Sequence, residues 1–149
     1  MTGGGDDRLV VALDADVLIY AAMPDHALGP RIRGFLAQRD RYAFCGSTLL
    51  LAEVLIKPTR AKDVDQLARL NTQLSHIELW PATDTVGQLA VWFGATYRLG
   101  PMDAMHLATA VDCGADVFLT NNRKDFRSAQ IGAIDVIYPE ELPIPRRRR

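Results

Sequence analysis

The sequence predicts an α/β fold: three layers, α/β/α, around a mostly parallel sheet of about five short strands. Three observations carry this. Short apolar runs rich in Val, Leu and Ile alternate with longer stretches whose apolar residues recur at helical spacing. Gly, Pro and capping residues fall at the boundaries between them. The chain has 149 residues, 48% of them apolar, enough for the core of one ordinary domain without disulfides.

Leu9 to Leu13 reads as a buried strand, and Asp14 to Ala22 as a helix that stops near Pro24. Gly29 to Gln38 places Ile32, Phe35 and Leu36 at helical spacing. Tyr42 to Cys45 is a second short strand, and Ser47 is a suitable cap for a helix ending before Pro58. Lys62 to Ser75 carries Val64, Leu67, Leu70 and Leu74 on one face, and Ile77 to Trp80 is a third strand closed by Pro81. Asp84 can cap the next helix, with Val86, Leu89, Ala90 and Phe93 as its stripe and Gly100 as its end. Pro101 opens a helix through Cys113 that Gly114 terminates. Asp116 to Thr120 and Ile134 to Tyr138 are the last two strands. A leader over 1–8, a single domain over 9–142 and a basic, disordered tail over 143–149 complete the expected organisation. The opening Met1-Thr2-Gly3-Gly4-Gly5-Asp6-Asp7 lacks the pattern of a signal peptide. No apolar run approaches the ~20 residues that span a bilayer, so a soluble, cytoplasmic protein is expected.

Formal net charge is −1, but Arg146 to Arg149 supply four of the 17 basic residues, leaving 13 against 18 acidic groups and a net of −5. Global charge therefore does not announce a nucleic-acid binder. Arg31, Arg33, Arg39 and Arg41 read as a solvated helix face. Arg123, Lys124 and Arg127 flank an acid, Asp125, and are less easily set aside. Cys45 and Cys113 have no ligand-like spacing, which argues against a zinc site or a disulfide framework. Trp80 and Trp92 suit the core better than base stacking, and Met102 and Met105 suit core or rim packing.

Four acids sit where apolar elements begin or end: Asp14, Glu53, Asp103 and Asp125. Each has a bland explanation. Asp14 can cap a helix, Glu53 can pair with Lys57 one turn later, Asp103 can complement a helix dipole, and Asp125 can sit in a turn. His106, three residues after Asp103, is more readily a packed or surface histidine than a ligand. In open parallel sheets, ligands sit beyond the carboxyl ends of the strands. Asp14 ends the first strand and Asp125 follows the fourth, so topology places both on one edge. Carboxylates gathered there repel one another unless a cation neutralises them. An all-oxygen donor set selects Mg²⁺ or Mn²⁺ over Zn²⁺.

Four segments together resemble the PIN domain, and within it the VapC-type toxins of bacterial toxin–antitoxin modules. They are Val11 to Ile19, Ser47 to Val54, Pro101-Met102-Asp103-Ala104-Met105-His106-Leu107-Ala108-Thr109-Ala110, and Ala115 to Phe126. The likeness runs from about Leu9 to Tyr138, and the last two segments, in this order and spacing, are its most specific marks. It implies a metal-dependent ribonuclease whose acidic quartet is Asp14, Glu53, Asp103 and Asp125, with Thr120 as a small polar residue that helps hold the site. It further implies Mg²⁺ as the cofactor, with Mn²⁺ as a substitute, an RNA substrate, an antitoxin partner and a homodimer. Asp16 stands where the family often has Asn, Ser or Thr. Asn121 and Arg123 are candidates for touching the scissile phosphate or holding Asp125. Two other readings compete: a catalytically inactive scaffold of the same fold, and a phosphatase of the haloacid-dehalogenase type using Asp14 and Asp16. The second lacks the later paired-Asp motif and leaves Glu53 and Asp103 unexplained.

Overall fold

The computed structural model describes residues 6–144 and holds a five-stranded, wholly parallel sheet ordered β3-β2-β1-β4-β5. The strands are β1 (Leu9–Leu13), β2 (Tyr42–Ser47), β3 (Ile77–Trp80), β4 (Val117–Leu119) and β5 (Asp135–Ile137). Helices α1 (Ala15–Ala22), α2 (Gly29–Leu36), α3 (Leu49–Arg60), α4 (Val64–Leu74), α5 (Asp84–Tyr97) and α6 (Pro101–Asp112) cover both faces. A single 3₁₀ turn, Pro139–Glu141, follows β5. No helix among the described residues is long and apolar enough to cross a membrane.

The period-2 alternation of the strands sorts their side chains into two cores. Val11 and Leu13, Phe44, and Val117 and Leu119 face a cluster built with α1 to α4. Ala12, Cys45 and Phe118 face the other, built chiefly with α5 and α6. Both faces are buried, which is why the strands read as continuous apolar runs rather than alternating ones. Connections on either side of the central β1 diverge, to β2 on one flank and β4 on the other, so the carboxyl end of β1 is a switch point in the topology.

Several boundaries differ from the sequence expectation, each for a local reason. Pro58 lies inside α3 rather than after it. Leu50, Val54 and Pro58 form a buried stripe at i, i+4 and i+8, and packing of that face offsets the missing N–H. Ser47 belongs to β2, and its hydroxyl accepts from Leu49 N–H at 3.1 Å while Thr48 takes the cap position. Thr83, not Asp84, caps α5 by accepting from Val86 N–H. That helix ends at Tyr97, with Arg98 left-handed at φ 57°, before Gly100. Val64 is 74% exposed, so the α4 stripe begins later than its pattern suggests. Trp92 is 58% exposed on α5, contrary to the core placement expected for it, and Trp80 is half-buried. The Arg31 to Arg41 group is only partly a solvated face. Arg33 donates to the Ala21 carbonyl at 3.0 Å, and Arg69 to that of Ala22 at 2.8 Å, satisfying the open end of α1. Arg31 donates to the Glu140 carbonyl. Of the expected leader, Arg8 pairs with Asp6 and donates to the Arg39 carbonyl. Residues 1–5, and the Arg146 to Arg149 tail, lie outside the described residues.

Candidate active site

Asp14 stands at the carboxyl end of β1, held there by its own backbone N–H on the Leu119 carbonyl of β4 at 3.0 Å. It caps α1: Oδ1 accepts from Ala15 N–H at 2.8 Å. The Thr120 hydroxyl donates to Oδ2 at 2.8 Å and itself accepts from Asn122 N–H at 3.0 Å. One fully buried threonine therefore locks the end of β1 to the loop after β4. Asp16, on the first turn of α1, accepts from Asn121 N–H through Oδ2 at 3.0 Å. Its Oδ1 is buried with no partner among the described residues.

The loop after β4 is stiffened by side chains rather than by a regular ladder. The Asn122 amide donates to Asp125 Oδ2 at 3.0 Å, and its carbonyl oxygen accepts from Asp125 N–H at 3.2 Å. Phe126, fully buried, stacks edge-on against Phe118 at 5.0 Å. Its carbonyl takes the Tyr138 hydroxyl at 2.7 Å. It is thus Asn122 that positions Asp125. Asn121 contributes its backbone N–H to Asp16, and Arg123 lies over the Tyr138 ring at 4.2 Å and pairs with Glu140.

Two helices bring the remaining acids. Gly100 and Pro101 start α6, which puts Asp103 in its first turn, where the helix dipole favours a carboxylate. One turn on, His106 is buried, and its Nε2 meets Glu53 Oε2 of α3 at 2.5 Å. Glu53 thus pairs with His106, not with Lys57, and its partly solvent-open side chain is held toward α6. His106 Nδ1 has no partner among the described residues. Spacing put His106 beside Asp103, but nothing in the sequence linked it to Glu53, fifty-three positions away.

Electrostatics tie the elements together. Burial pushes the Asp16 carboxyl up to about 7, and the charges of Asp14 and Asp103 add to it. Asp103 is pushed up to about 6, first by partial burial and then by Asp14, Asp125 and Glu53. Asp14 is also raised, by burial above all, against the pull of His106 and the hydrogen bonds from Thr120 and Ala15. Burial opposes charge on His106, but the Glu53 hydrogen bond and the fields of Asp14, Glu53 and Asp103 outweigh it and raise its pKa. Asp103 therefore senses every other acid of the quartet. Among the described residues no three such side chains already converge as a ligand cage. Coulombic reach exceeds coordination distance, and Glu53 and Asp125 are each held by a neighbour of their own. The donor set still fits a hard divalent cation. It is all oxygen, burial and neighbouring charge oppose ionisation of Asp14 and Asp103, and Asp16 beside it leaves a buried carboxylate oxygen without a partner.

A model of the PIN domain matches residues 11–131 of the sequence. The chain belongs to the PIN domain family. Its fold is that of the VapC toxins. The VapBC2 complex of Rickettsia felis, bound to a fragment of promoter DNA, superposes at a TM-score of 0.71, covering 87% of this chain and 98% of that one at 17% identity. FitAcB from Neisseria gonorrhoeae gives 0.68 over 89% and 99% at 16% identity. Mycobacterium tuberculosis VapC20, a toxin that cleaves the sarcin–ricin loop, gives 0.59 over 72% and 86% at 13% identity. At these identities the likeness speaks for the fold. Among curated proteins none matches this sequence. With the PIN assignment the phosphatase reading of Asp14 and Asp16 falls away, and Asp16 becomes an additional acid beside the quartet.

Proposed function

We propose that this PIN domain is a Mg²⁺-dependent endoribonuclease of the VapC type, acting on RNA in the cytoplasm and silenced by a cognate antitoxin. The observation that carries the reading is the gathering of Asp14 at the end of β1, Glu53 on α3 and Asp125 in the loop after β4 close enough to Asp103 on α6 that each adds to the effect of its partial burial. Such a cluster opposes its own ionisation and is suited to a cation and a phosphodiester. Relatives in fold are complexes of toxin with antitoxin, and one is a toxin that cleaves the sarcin–ricin loop, which supports both the substrate class and the partner.

Asp14, Asp103 and Asp125, with Glu53, would hold the cation; when bound it neutralises the cluster and offsets charge on the reacting phosphoryl group. Thr120 keeps the Asp14 carboxylate in place, and His106 keeps Glu53 from swinging into solvent. Glu53 would also orient an attacking water. Exposed Lys124 and Arg127, beside Asp125, would meet the RNA backbone. A homodimer is the assembly the family suggests.

The test is cleavage of total RNA by the purified chain, with ends mapped, in Mg²⁺ and in excess EDTA. Cleavage in Mg²⁺, lost in EDTA and restored by Mg²⁺ or Mn²⁺, is the expected result. Cleavage undiminished by EDTA refutes the metal dependence. RNA binding without cleavage in any metal identifies an inactive scaffold instead.

A further inference from the structure

Cys45 and Cys113 are far apart in sequence but meet in the fold, with Sγ atoms 3.1 Å apart. Cys45 is buried in the middle of β2, and Cys113 is the half-buried C-cap of α6, the helix that packs on β2. Both thiols are free. They line a cleft of about 180 Å³ together with Arg8, Val10, Glu78 and Trp80, so small solutes reach them without unfolding. Bringing the sulfurs to the ~2.05 Å of a disulfide needs a shift of about 1 Å, within the range of side-chain rotation.

We propose that Cys45 and Cys113 are a modification site, a dithiol that a peroxide converts to a reversible intramolecular disulfide. Cys113 is the attacking group. It is the more accessible, and its sulfur contact with Cys45 holds its thiol below the ordinary range, while that contact and burial push Cys45 up. The Cys113 thiolate attacks one peroxide oxygen; the O–O bond breaks and hydroxide leaves, taking up a proton to become water. The Cys45 sulfur then attacks the resulting sulfenic sulfur. The S–S bond forms, the S–O bond breaks, and a second water leaves with the Cys45 proton. Each sulfur gives up one electron and the peroxide accepts two.

The disulfide joins residues 68 positions apart and ties the end of α6 to the sheet. A closed loop of that size restricts the unfolded chain, so the oxidised protein melts higher, by about 5–10 °C. Asp103 lies ten residues up α6 from Cys113, about 15 Å along the axis, so the carboxylates are not moved.

The full-length chain, reduced and then treated with hydrogen peroxide, is alkylated in denaturant, weighed by mass spectrometry and run on a non-reducing gel. The expected result is two alkylated thiols before treatment, none after, a monomeric band, and recovery of both thiols with dithiothreitol. The melting temperature rises on oxidation in the native chain and does not rise in Cys113→Ser. Cys45→Ser leaves Cys113 trapped as a sulfenic acid that dimedone labels. Two thiols still alkylated after peroxide, Cys113 over-oxidised beside an intact Cys45, or covalent dimers in place of the closed monomer overturn the proposal.

Discussion

Replacing Asp16 with Asn isolates the charge strain of the site. Asp16 Oδ2 accepts one backbone N–H, its Oδ1 is buried without a partner, and its carboxyl is pushed from 3.8 to about 7 by burial, Asp14 and Asp103. A carboxyl raised in the folded state binds a proton there that the unfolded chain has released. Between about pH 4 and pH 7 the metal-free protein therefore loses stability as pH rises. At roughly 1.36 kcal/mol per pKa unit the cost by about pH 7.5 is at most ~4 kcal/mol. Solvent reaches part of the side chain and screens it, which leaves about 2–4 kcal/mol. Asn keeps an oxygen for Asn121 N–H and carries no charge. Asp16→Asn should therefore raise the melting temperature in EDTA by about 5–15 °C at about pH 7.5. Near pH 4 the gain should shrink to a degree or two, because the wild-type carboxyl is then protonated in the folded state. Calorimetric melts of both proteins at the two pH values measure this. A variant that melts lower at pH 7.5, or that gains equally at both, refutes the reasoning.

Asp14→Asn and Asp103→Asn should each nearly abolish RNA cleavage while the metal-free fold stays as stable or gains stability, since each removes a repelling carboxylate. A melting temperature several degrees lower in EDTA would show the acid to be structural. His106→Ala should leave Glu53 untethered and weaken Mg²⁺ binding, read by calorimetric titration, by about 10–100-fold, with His106→Gln recovering part of it. Unchanged affinity in His106→Ala would sever His106 from the site. Lys124→Ala with Arg127→Ala should weaken RNA binding and flatten its salt dependence by about 0.7 per lost phosphate contact. Arg123→Ala, whose guanidinium is already committed to Tyr138 and Glu140, should instead cost about 1 kcal/mol of stability in a thermal melt. Deleting Arg146 to Arg149 should change RNA affinity less than the Lys124 and Arg127 pair.

Local pattern was enough for the class of fold. Val11 to Leu13 and Val117 to Leu119 are apolar because both sheet faces are buried, and that signal is written in consecutive residues. Pro101 and Gly114 bracket α6 through backbone chemistry alone: one presets φ at a first helical position, the other accepts φ +74°. Asp14 and Asp125 could be put on one edge because, in a parallel sheet, topology follows from the order of strands and helices.

Side-chain partnership was not legible, because it depends on how helices on the two faces meet at the edge. Glu53 pairs with His106 across fifty-three positions, not with Lys57 four residues along its own helix. Cys45 and Cys113, solitary by spacing, touch because α6 packs its end against β2. Pro58 looked like a stop, and α3 runs through it because the buried stripe of Leu50, Val54 and Pro58 outweighs one lost hydrogen bond. Trp92, apolar in pattern, faces solvent. Residue order determined which elements form and which edge collects the acids, since those follow from periodicity, capping and strand order. Which side chain holds each acid, and how far burial and mutual repulsion shift it, was decided only when packing set distances between residues that the chain keeps far apart.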